Sequence, residues 1–483
     1  MTIHCTNHYA LLAAYRQRSL PMSWTPRALR DDSPVYLAIA DAIAEDVAGG
    51  RLRPGTRLPT HRELATLLGV DLTTVTRGYA EAQKRGLLVG RVGRGTFVRG
   101  SVPGSGASNG GTADAVADLS QNVPPQLDPD LPAQALTATL EELSKSLDAG
   151  FLLRYHDNAG MALHRQAGAS WISQRVSDPD PAKLVVTNGA QHAISVLLST
   201  LAAPGEVVLA EELTYPAFRS AAEHLSLKVR GIEMDEDGIR IDAFRRACKA
   251  GARLLYLTPT LQNPTTISMP SSRRAALARV ARQFDVRIIE DDVYGILVDD
   301  APAPVATHAP ERTYFLSSLT KAVAGGLRIG YALCPTAADA ERVAAGVRVS
   351  TWMAPPLMAH IASRWVRSRT AREILRANRA EATRRQALAT RLLSGFTWHA
   401  TRFSYHGWLE LPEGWTTAEF VAQARRARVA VTPGDAFAVS GRCEPPAVRL
   451  SLTATPNRDA LEDALGRTAR LLELGPRATA TVM

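Results

Sequence analysis

The spacing of apolar residues changes near residue 118, and this change divides the chain into two differently built parts. Before that point apolar residues recur about every fourth position, as they do from Val35 to Val47, which predicts amphipathic helices. Beyond it, short uninterrupted apolar runs alternate with helical patterns, which predicts strands separated by helices. The pattern therefore predicts a small, mainly helical domain followed by a larger α/β domain.

Residues 33–100 carry the pattern of three helices followed by a β-hairpin. Thr60 and Glu63 have the spacing of a capping box, which marks the start of the second helix. Leu87–Val89 and Thr96–Val98 flank a segment of glycines and arginines and predict the hairpin. The side chains expected on the buried faces of the second and third helices are Leu64, Leu67, Leu68, Val75, Tyr79 and Ala82.

Asp71 is the expected N-cap of the third helix, and the outward positions near this terminus are polar or basic. Such side chains contact bases and phosphates when a helix lies in the major groove. The order helix, helix, turn, helix, hairpin is that of a winged helix-turn-helix. The segments Arg57–Ala65 and Gly93–Val98 make this region resemble the GntR-type DNA-binding domain. The resemblance implies double-stranded DNA as a partner, contacted by Arg62, Thr73, Thr74, Arg77, Arg91 and Arg94.

Charge and composition support this division. The 483-residue chain carries a net charge of +9, and residues 1–100 hold 14 Lys and Arg against 8 Asp and Glu, so +6 lies there and +3 in the other 383 residues. A basic first domain favours a polyanion partner, and a helical protein-interaction domain with a basic surface is the alternative interpretation. Residues 101–117 are rich in Gly, Ser and Ala, which predicts a flexible tether with a reach on the order of 20 to 25 Å.

Five segments are therefore expected. They are a disordered N-terminal extension at 1–32, the winged helix-turn-helix domain at 33–100, the flexible linker at 101–117, the α/β domain at 118–475 and a C-terminal tail at 476–483. No apolar run is long enough to predict a membrane span. The four cysteines are widely separated and lack metal-ligand spacing, which favours reduced thiols, a cytoplasmic location and no metal site.

Six apolar runs in the second domain predict the strands of a mostly parallel sheet with helices on both faces. In such sheets ligands bind at the carboxyl ends of the strands, so the residues that follow each run are candidates for a binding site. The predicted strands are Leu184–Val186, Val207–Leu209, Lys228–Ile232, Leu254–Leu257, Val286–Ile289 and Thr313–Leu316.

The residues that follow these strands have the chemistry needed to hold a phosphorylated aldehyde, and pyridoxal 5'-phosphate (PLP) is the obvious candidate. Lys321, in a loop of small residues, can lose its proton and form a Schiff base with an aldehyde. Asp291 can keep a pyridine nitrogen protonated, and Tyr215 can stack on a planar ring. Residues suited to the cofactor's 3'-oxygen or phosphate are Asn263, Tyr294, Ala190, Gln191, Ser318 and Arg328.

Over most of the second domain, this order of residues resembles the fold type I aminotransferases. The resemblance implies that Lys321 is the Schiff-base lysine and that the other residues just named are cofactor ligands. It adds Tyr155, which would reach the phosphate bound by a partner subunit and so implies a homodimer. It also adds Arg449, which would bind the carboxylate of an effector. A surface arginine on an edge strand is the alternative interpretation of Arg449.

A GntR-type domain followed by a linker and an aminotransferase-like domain resembles the MocR subfamily of transcriptional regulators. The resemblance implies a DNA-binding regulator rather than an enzyme. It would sense an amino acid or a related amine through an aldimine at Lys321 and control genes for its metabolism. Two alternatives remain open. One is an active aminotransferase that carries a DNA-binding domain, and the other is a regulator of vitamin B6 synthesis whose effector is PLP itself.

Overall fold

The computed structural model describes residues 24–26, 34–48, 51–52, 56–85, 87–91, 95–98, 116–146 and 148–479. The chain separates into two compact units, Met1–Gly110 and Gly111–Met483. Some predictions fall outside the described residues. They concern nearly all of the N-terminal extension, Arg94, residues 101–115 of the linker and residues 480–483 of the tail.

The first unit contains the helices and the hairpin that the sequence predicts. Its elements are α1 (Val35–Ala48), α2 (His61–Leu68), α3 (Leu72–Lys84), β1 (Leu88–Arg91) and β2 (Gly95–Val98). The two strands pair in antiparallel fashion. The winged helix-turn-helix fold is therefore confirmed.

Local capping explains where α2 begins. Thr60 Oγ1 accepts a hydrogen bond from the backbone N–H of Glu63 at 3.3 Å, and Glu63 Oε2 accepts one from the backbone N–H of Thr60 at 2.7 Å. The predicted capping box is thus present, and it satisfies two amides that the helix leaves free. Asp71 occupies the N-cap position of α3, but its side chain accepts no capping hydrogen bond. The predicted N-cap position is therefore confirmed, without a side-chain capping bond.

Two details of the core differ from expectation. Leu67 is 47% exposed, whereas Leu64 and Ala65 of the same helix are buried in the core of this unit. Trp24, which the sequence assigns to a disordered extension, is buried in this core and donates its indole N–H to Asp46 at 2.7 Å. The predicted core residues that are buried are Leu64, Val75, Tyr79 and Ala82.

The second unit alternates strands and helices. Its strands are β3 (Ala117–Asp118), β4 (Leu184–Thr187), β5 (Val207–Glu211), β6 (Lys228–Ile232), β7 (Met234–Asp235), β8 (Gly238–Ile239), β9 (Leu254–Leu257), β10 (Arg287–Asp291), β11 (Thr313–Ser318), β12 (Gly330–Leu333), β13 (Trp398–His399), β14 (His406–Glu410), β15 (Val429–Ala430), β16 (Thr432–Pro433) and β17 (Ala447–Ser451).

Its helices cover both faces of the main sheet and build the C-terminal region. They are α4 (Leu131–Ser146), α5 (Ala149–Leu152), α6 (Ala162–Ile172), α7 (Ala190–Leu201), α8 (Pro216–His224), α9 (Ile241–Lys249), α10 (Ser271–Gln283), α11 (Val305–His308), α12 (Leu319–Ala322), α13 (Ala337–Thr351), α14 (Pro356–Arg367), α15 (Thr370–Leu392), α16 (Thr417–Arg426) and α17 (Arg458–Thr479). The last helix is interrupted at Gly475 and continues into the segment that the sequence assigns to a tail.

The main sheet has seven strands in the order β4-β12-β11-β10-β9-β5-β6. All neighbours are parallel except β12, which runs antiparallel to β11 and β4. The six predicted strands are all present, and the mostly parallel sheet is confirmed. The sequence analysis missed β12, and this strand returns the chain directly after the loop that contains Lys321.

A second sheet of four strands, in the order β13-β14-β17-β16, forms the C-terminal part of this unit. Beside it β3 pairs in parallel with β15, Ala117 opposite Val429 and Asp118 opposite Ala430. The chain that leaves the linker is therefore already paired at Ala117, one residue before the predicted domain start. Among the described residues, no helix is long and apolar enough to cross a membrane.

Candidate functional site

A cavity of about 110 Å³ lies at the carboxyl ends of the central strands. Every cofactor residue that the sequence predicts lines it, except Tyr155. The lining residues are Ala190, Gln191, Ile194, Tyr215, Thr258, Asn263, Asp291, Val293, Tyr294, Ser318, Thr320, Lys321 and Arg328. The fold thus gathers side chains that are far apart in sequence, because the ends of parallel strands meet at one edge of the sheet.

Lys321 lies on the single turn α12, directly after β11. Burial lowers the pKa of its amine to about 8, and the positive charges of Arg449 and Arg328 act in the same direction, whereas Asp291 opposes them. Nζ donates a hydrogen bond to the backbone carbonyl of Asn122. An amine with this pKa is partly neutral near pH 7 to 8 and is therefore able to attack a carbonyl group.

Asp291 ends β10 and is 5% exposed. Its Oδ2 accepts a hydrogen bond from Tyr256 Oη at 2.8 Å, whereas its Oδ1 is buried and has no hydrogen-bond partner. Burial raises the pKa of this carboxyl group to about 6. An unpaired buried oxygen is costly unless a ligand supplies a donor, so Oδ1 is suited to a protonated ring nitrogen.

The opposite end of the cavity offers groups that bind anions. Gly189 precedes α7 with φ of 83°, and a Cβ atom built there would lie 2.9 Å from Arg328 Nη2, so a side chain would crowd the arginine. The helix N-terminus presents free backbone N–H groups beside this guanidinium. Ser318 Oγ donates to the carbonyl of Ile329 at 2.9 Å, and Thr320 Oγ1 is buried without a partner.

Two predicted ligands on the phosphate and ring side have other contacts in this state. Gln191 Nε2 donates to the carbonyl of Ala217 at 3.1 Å, and its buried Oε1 has no partner. Tyr215 stands at the N-cap of α8, and burial raises the pKa of its hydroxyl group. Both side chains line the cavity, and their roles as ligands stay predictions.

The sequence analysis missed Asn122, which connects three parts of the site. Its Nδ2 donates to Tyr294 Oη at 2.8 Å and lies 2.9 Å from His406 Nδ1, while its backbone carbonyl accepts from Lys321. Burial lowers the pKa of His406 to about 3, so this ring is neutral and accepts the amide proton. Asn122 follows the short strand β3, and no motif in the sequence connects it with residues near 294 or 406.

Arg449 lies on β17 and is 6% exposed. Its Nη1 donates to Asn263 Oδ1 at 3.0 Å, and its Nη2 donates to the Ser120 carbonyl and to Thr432 Oγ1, while Nε is buried without a partner. Because β17 lies between β14 and β16, the interpretation of Arg449 as a surface residue on an edge strand is wrong. Through Asn263 the guanidinium reaches the rim of the cavity.

Tyr155 does not join the cavity. It is 78% exposed, and its ring packs against Trp352 with centroids 5.1 Å apart. Leu153, close in sequence to Tyr155, and Val349, close in sequence to Trp352, are also exposed. The role of Tyr155 toward a partner subunit stays a prediction.

Four of the candidate DNA-binding residues belong to α2 and α3 of the first unit, where their exposure is described. Arg62 and Thr73 are exposed, Thr74 is half-buried, and the Arg77 guanidinium lies 4.2 Å from the ring centroid of Tyr36. A hydrogen bond of 3.3 Å between Thr76 Oγ1 and His61 Nδ1 joins the starts of α3 and α2. Arg91 belongs to β1, but its side chain, like the whole of Arg94, lies outside the described residues.

Within the described part of the chain, no group of three or more His, Cys, Asp or Glu residues could hold a metal ion.

Two family models match the chain. The model for aminotransferase class I and II matches residues 114–467, and the model for bacterial regulatory proteins of the gntR family matches residues 35–98. The uncharacterized HTH-type transcriptional regulator YdeF of Bacillus subtilis is 29% identical over 465 residues, which cover 94% of this chain and 97% of YdeF. The vitamin B6 salvage pathway transcriptional repressor PtsJ of Salmonella typhimurium is 29% identical over 306 residues, which cover 63% of this chain and 68% of PtsJ.

Solved structures show the same fold for the second unit. The crystal structure of an archaeal alanine:glyoxylate aminotransferase superposes with a TM-score of 0.68 and 24% identity, covering 74% of this chain and 91% of that one. The fold and its two sites define a GntR-type regulator with an aminotransferase-like domain. The chain belongs to the aminotransferase class I and II family, and its gntR-type domain gives it the composition of the MocR subfamily.

Pyridoxal phosphate is the cofactor that this family implies, and the residues of the cavity fit it. Lys321 supplies an amine with a lowered pKa, and Asp291 presents an unpartnered oxygen. Gly189 and Arg328 frame a helix N-terminus that is open to a phosphate group. These three features belong to one cavity, as a ligand with an aldehyde, a ring nitrogen and a phosphate requires.

Proposed function

We propose that this protein is a PLP-dependent transcriptional regulator that senses an amino compound at Lys321 and controls genes for the metabolism of that compound. The observation that carries the proposal is the buried, unpartnered Oδ1 of Asp291 in the same cavity as the Lys321 amine. A DNA-binding unit on the same chain makes regulation a better use of this cavity than metabolic turnover.

Each residue of the cavity has a defined task in this proposal. When bound, the cofactor supplies an aldehyde that condenses with an amine and a ring that accepts electrons. Lys321 holds the cofactor covalently, and Asp291 keeps a proton on the ring nitrogen. Arg328 and the N-terminus of α7 hold the phosphate. Tyr294 and Asn263 donate to the 3'-oxygen, and Tyr215 stacks on the ring.

Arg449 supports an effector that carries a carboxylate or a similar anion, such as an amino acid or an aminosulfonate. Its guanidinium is buried, and neutral oxygens of Asn263, Ser120 and Thr432 are its hydrogen-bond acceptors. A carboxylate would bind it more strongly, because it brings a full negative charge and can accept two parallel hydrogen bonds from the guanidinium. The effector's amine would meanwhile take the place of Lys321 on the cofactor.

We also propose that the protein works as a homodimer. The exposure of Tyr155 beside Trp352 supports an aromatic surface that a second subunit covers, with Tyr155 reaching the phosphate site of the partner. Analytical ultracentrifugation with Tyr155→Ala tests this point. A monomeric wild-type protein at micromolar concentration would contradict it.

Two other functions use the same residues. An active aminotransferase is favoured by the completeness of the site, since Lys321, Asp291 and Arg449 are the groups that amino-group transfer to a keto acid needs. A regulator of vitamin B6 metabolism, with PLP itself as effector, is favoured by the likeness to PtsJ.

One experiment separates the three functions. DNA bound by the protein in its own genome is recovered and sequenced, and its affinity is then measured without PLP, with PLP, and with PLP plus each common amino acid. An amine sensor changes affinity only in the third condition, and a vitamin B6 regulator already changes it in the second. Steady conversion of an amino acid and a keto acid that Lys321→Ala abolishes would identify an aminotransferase and contradict the pure regulator.

A further inference from the structure

The chain directly after the linker is held by an unbroken series of hydrogen bonds to its backbone carbonyls. We call residues 117–123 the anchor segment. Five consecutive carbonyls, from Leu119 to Val123, each accept a hydrogen bond from the second unit. Ser451 N donates to the Leu119 carbonyl at 2.7 Å, and both Thr432 Oγ1, at 3.1 Å, and Arg449 Nη2 donate to the Ser120 carbonyl. Ser451 Oγ donates to the Gln121 carbonyl at 2.5 Å, Lys321 Nζ donates to the Asn122 carbonyl, and Thr453 Oγ1 donates to the Val123 carbonyl at 2.5 Å.

Two of these donors are cationic side chains that bind ligands in the proposed function, one the cofactor and the other the effector. Lys321 donates to the carbonyl of Asn122, and Arg449 donates to the carbonyl of Ser120. The remaining donors come from Thr432, Ser451 and Thr453, which no proposed ligand contact involves. The anchor segment is therefore held partly by two side chains that would bind a ligand and partly by three residues that would keep their hydrogen bonds when a ligand binds.

Ligand binding and the anchor segment compete for the same protons. A lysine amine has two or three hydrogens to donate, whereas a nitrogen joined to carbon by a double bond keeps at most one. A carboxylate on Arg449 likewise attracts Nη2 more strongly than the neutral Ser120 carbonyl does. Asn122 is 9% exposed, so its carbonyl cannot exchange the lost donor for bulk water without moving.

The end of the segment nearest the linker is held differently. Ala117 and Asp118 pair with β15, and Leu119 N–H donates to the carbonyl of Ala430 at 2.8 Å. Ser120 N–H donates to Asp118 Oδ1 at 2.8 Å. None of these bonds involves Lys321 or Arg449. All of them lie within five residues of the Ser120 and Asn122 carbonyls, which accept from those two side chains. Loosening of Ser120 and Asn122 would therefore act on a pairing of only two residues, which is weak by itself.

We propose that release of the anchor segment begins when a cofactor occupies Lys321 and is completed when an anionic effector occupies Arg449, and that this release changes how the linker to the DNA-binding unit is attached. The inference rests on the proposed function, because it takes these two cations as the ligand sites. It adds the route by which their occupation reaches the linker. Asn122 and Ser120 act here through their backbone, which explains why no side-chain motif marks them.

Hydrogen–deuterium exchange of the full chain, with pyridoxal phosphate as the probe, tests the proposal. The reporters are the amides of Leu119 and Ser120, whose bonds are given above. Adding PLP should speed their exchange about tenfold, the effect expected from loss of one charge-assisted hydrogen bond. The visible absorbance of the same sample reports separately whether PLP is attached.

Three variants make the result specific. Lys321→Met lacks the donor, so fast exchange without PLP is expected, with no further change when PLP is added. Lys321→Arg keeps a donor and cannot form the covalent bond, so slow exchange should persist with PLP. Thr453→Val removes the Val123 contact alone and should leave the PLP response intact. Exchange of the central strands β9 and β10, which belong to the same unit as the three variant positions, checks that each variant is folded.

The outcomes separate this inference from the proposed function. If PLP attaches to the wild-type protein and the exchange of Leu119 and Ser120 changes by less than about twofold, far below one hydrogen bond, the release is overturned while PLP binding stands. If PLP does not attach at all, the proposed function fails. In that case the Lys321→Met variant still tests the inference. Slow exchange of the Leu119 and Ser120 amides in this variant would overturn it, and fast exchange would support the dependence of the anchor segment on Lys321.

Discussion

Tyr256 donates its phenolic hydrogen to Oδ2 of Asp291 at 2.8 Å and thereby leaves Oδ1 of the same carboxylate as a free acceptor in the cavity. The two residues lie on neighbouring parallel strands, β9 and β10. One oxygen is thus fixed by the protein, and the other is oriented for a ligand. The cost is a buried carboxyl group whose pKa is raised to about 6 by burial.

Replacement of Asp291 by Asn should therefore stabilise the PLP-free protein at high pH. The carboxyl group titrates near 3.8 in the unfolded chain and near 6 in the folded one, so wild-type stability falls as pH rises through this window. Above it Asp291→Asn should gain on the order of 3 kcal/mol in unfolding free energy. Below pH 4 the two proteins should be equal. Urea unfolding at pH 8 and at the lowest pH where both fold measures the difference.

Tyr256→Phe provides the matched control for Asp291→Asn. It removes a hydrogen bond to the ionised carboxylate and should destabilise the protein at pH 8 instead. If Asp291→Asn raised the free energy of unfolding equally at every pH, burial of the Asp291 charge could not be the cause of the gain.

The capture of PLP by Lys321 should depend on pH with a midpoint near 8. Burial lowers the pKa of this amine from 10.5 to about 8, and only the neutral amine attacks the aldehyde. The rate of appearance of absorbance at about 420 nm should reach half its maximum near pH 8 and level off about one pH unit higher. A rate that still climbs between pH 9 and 10 would place the amine in solvent. Borohydride should fix the label on Lys321, and peptide mapping that finds it on another lysine would refute the assignment.

Replacement of Arg449 by Met should remove the response to carboxylate effectors and leave PLP capture intact. Loss of one partner of a buried charged pair weakens binding by about 2 to 5 kcal/mol, so an effector should bind at least roughly 30-fold more weakly. Spectral titration of the PLP-loaded protein with amino acids measures this. Arg442→Met, an exposed arginine paired with Glu444, is the control and should titrate as the wild type does. Equal affinities in all three proteins would exclude Arg449 as the anion site.

Arg62→Ala and Arg77→Ala should each weaken DNA binding and reduce its salt dependence. Loss of one phosphate contact lowers the slope of log K against log salt by about 1. Neither change should alter PLP absorbance, because both residues belong to the first unit. Lys84→Ala, at the far end of α3, is the comparison variant. Fluorescence anisotropy of labelled DNA at several salt concentrations measures the slope. A reduction by Lys84→Ala as large as those by Arg62→Ala and Arg77→Ala would contradict the assignment of DNA contacts to these two arginines.

The candidate site could be predicted well where the chemistry lies directly after a strand. Lys321, Asp291 and Asn263 follow apolar runs, and parallel strands bring such positions together whatever the details of packing. The choice of Asp291 among three consecutive acids agrees with the cavity. Its neighbours are used elsewhere, since Glu290 accepts from the first amides of α11 and Asp292 pairs with Arg175 at 2.7 Å.

Other features could not be read from the pattern. Leu67 matched the apolar stripe of α2 but is exposed, because the core covers only the part of this helix that carries Leu64 and Ala65. Trp24 stands alone in a polar segment, and only the folded core explains its burial. Strand β12 is short and follows the Lys321 loop so closely that no helical spacing separates it from β11.

The sequence by itself determined the two kinds of domain, the positions along the chain of six strands of the main sheet, and the residues that follow those strands. These features depend on local periodicity and on a general property of parallel sheets. Only the tertiary structure decided what Lys321 and Arg449 bind in the absence of a ligand. Both donate to carbonyls of the anchor segment, about 200 or more residues earlier in the chain. Every residue has a backbone carbonyl, so no residue type in the sequence could mark Ser120 and Asn122 as partners. Their role follows from where the fold places them.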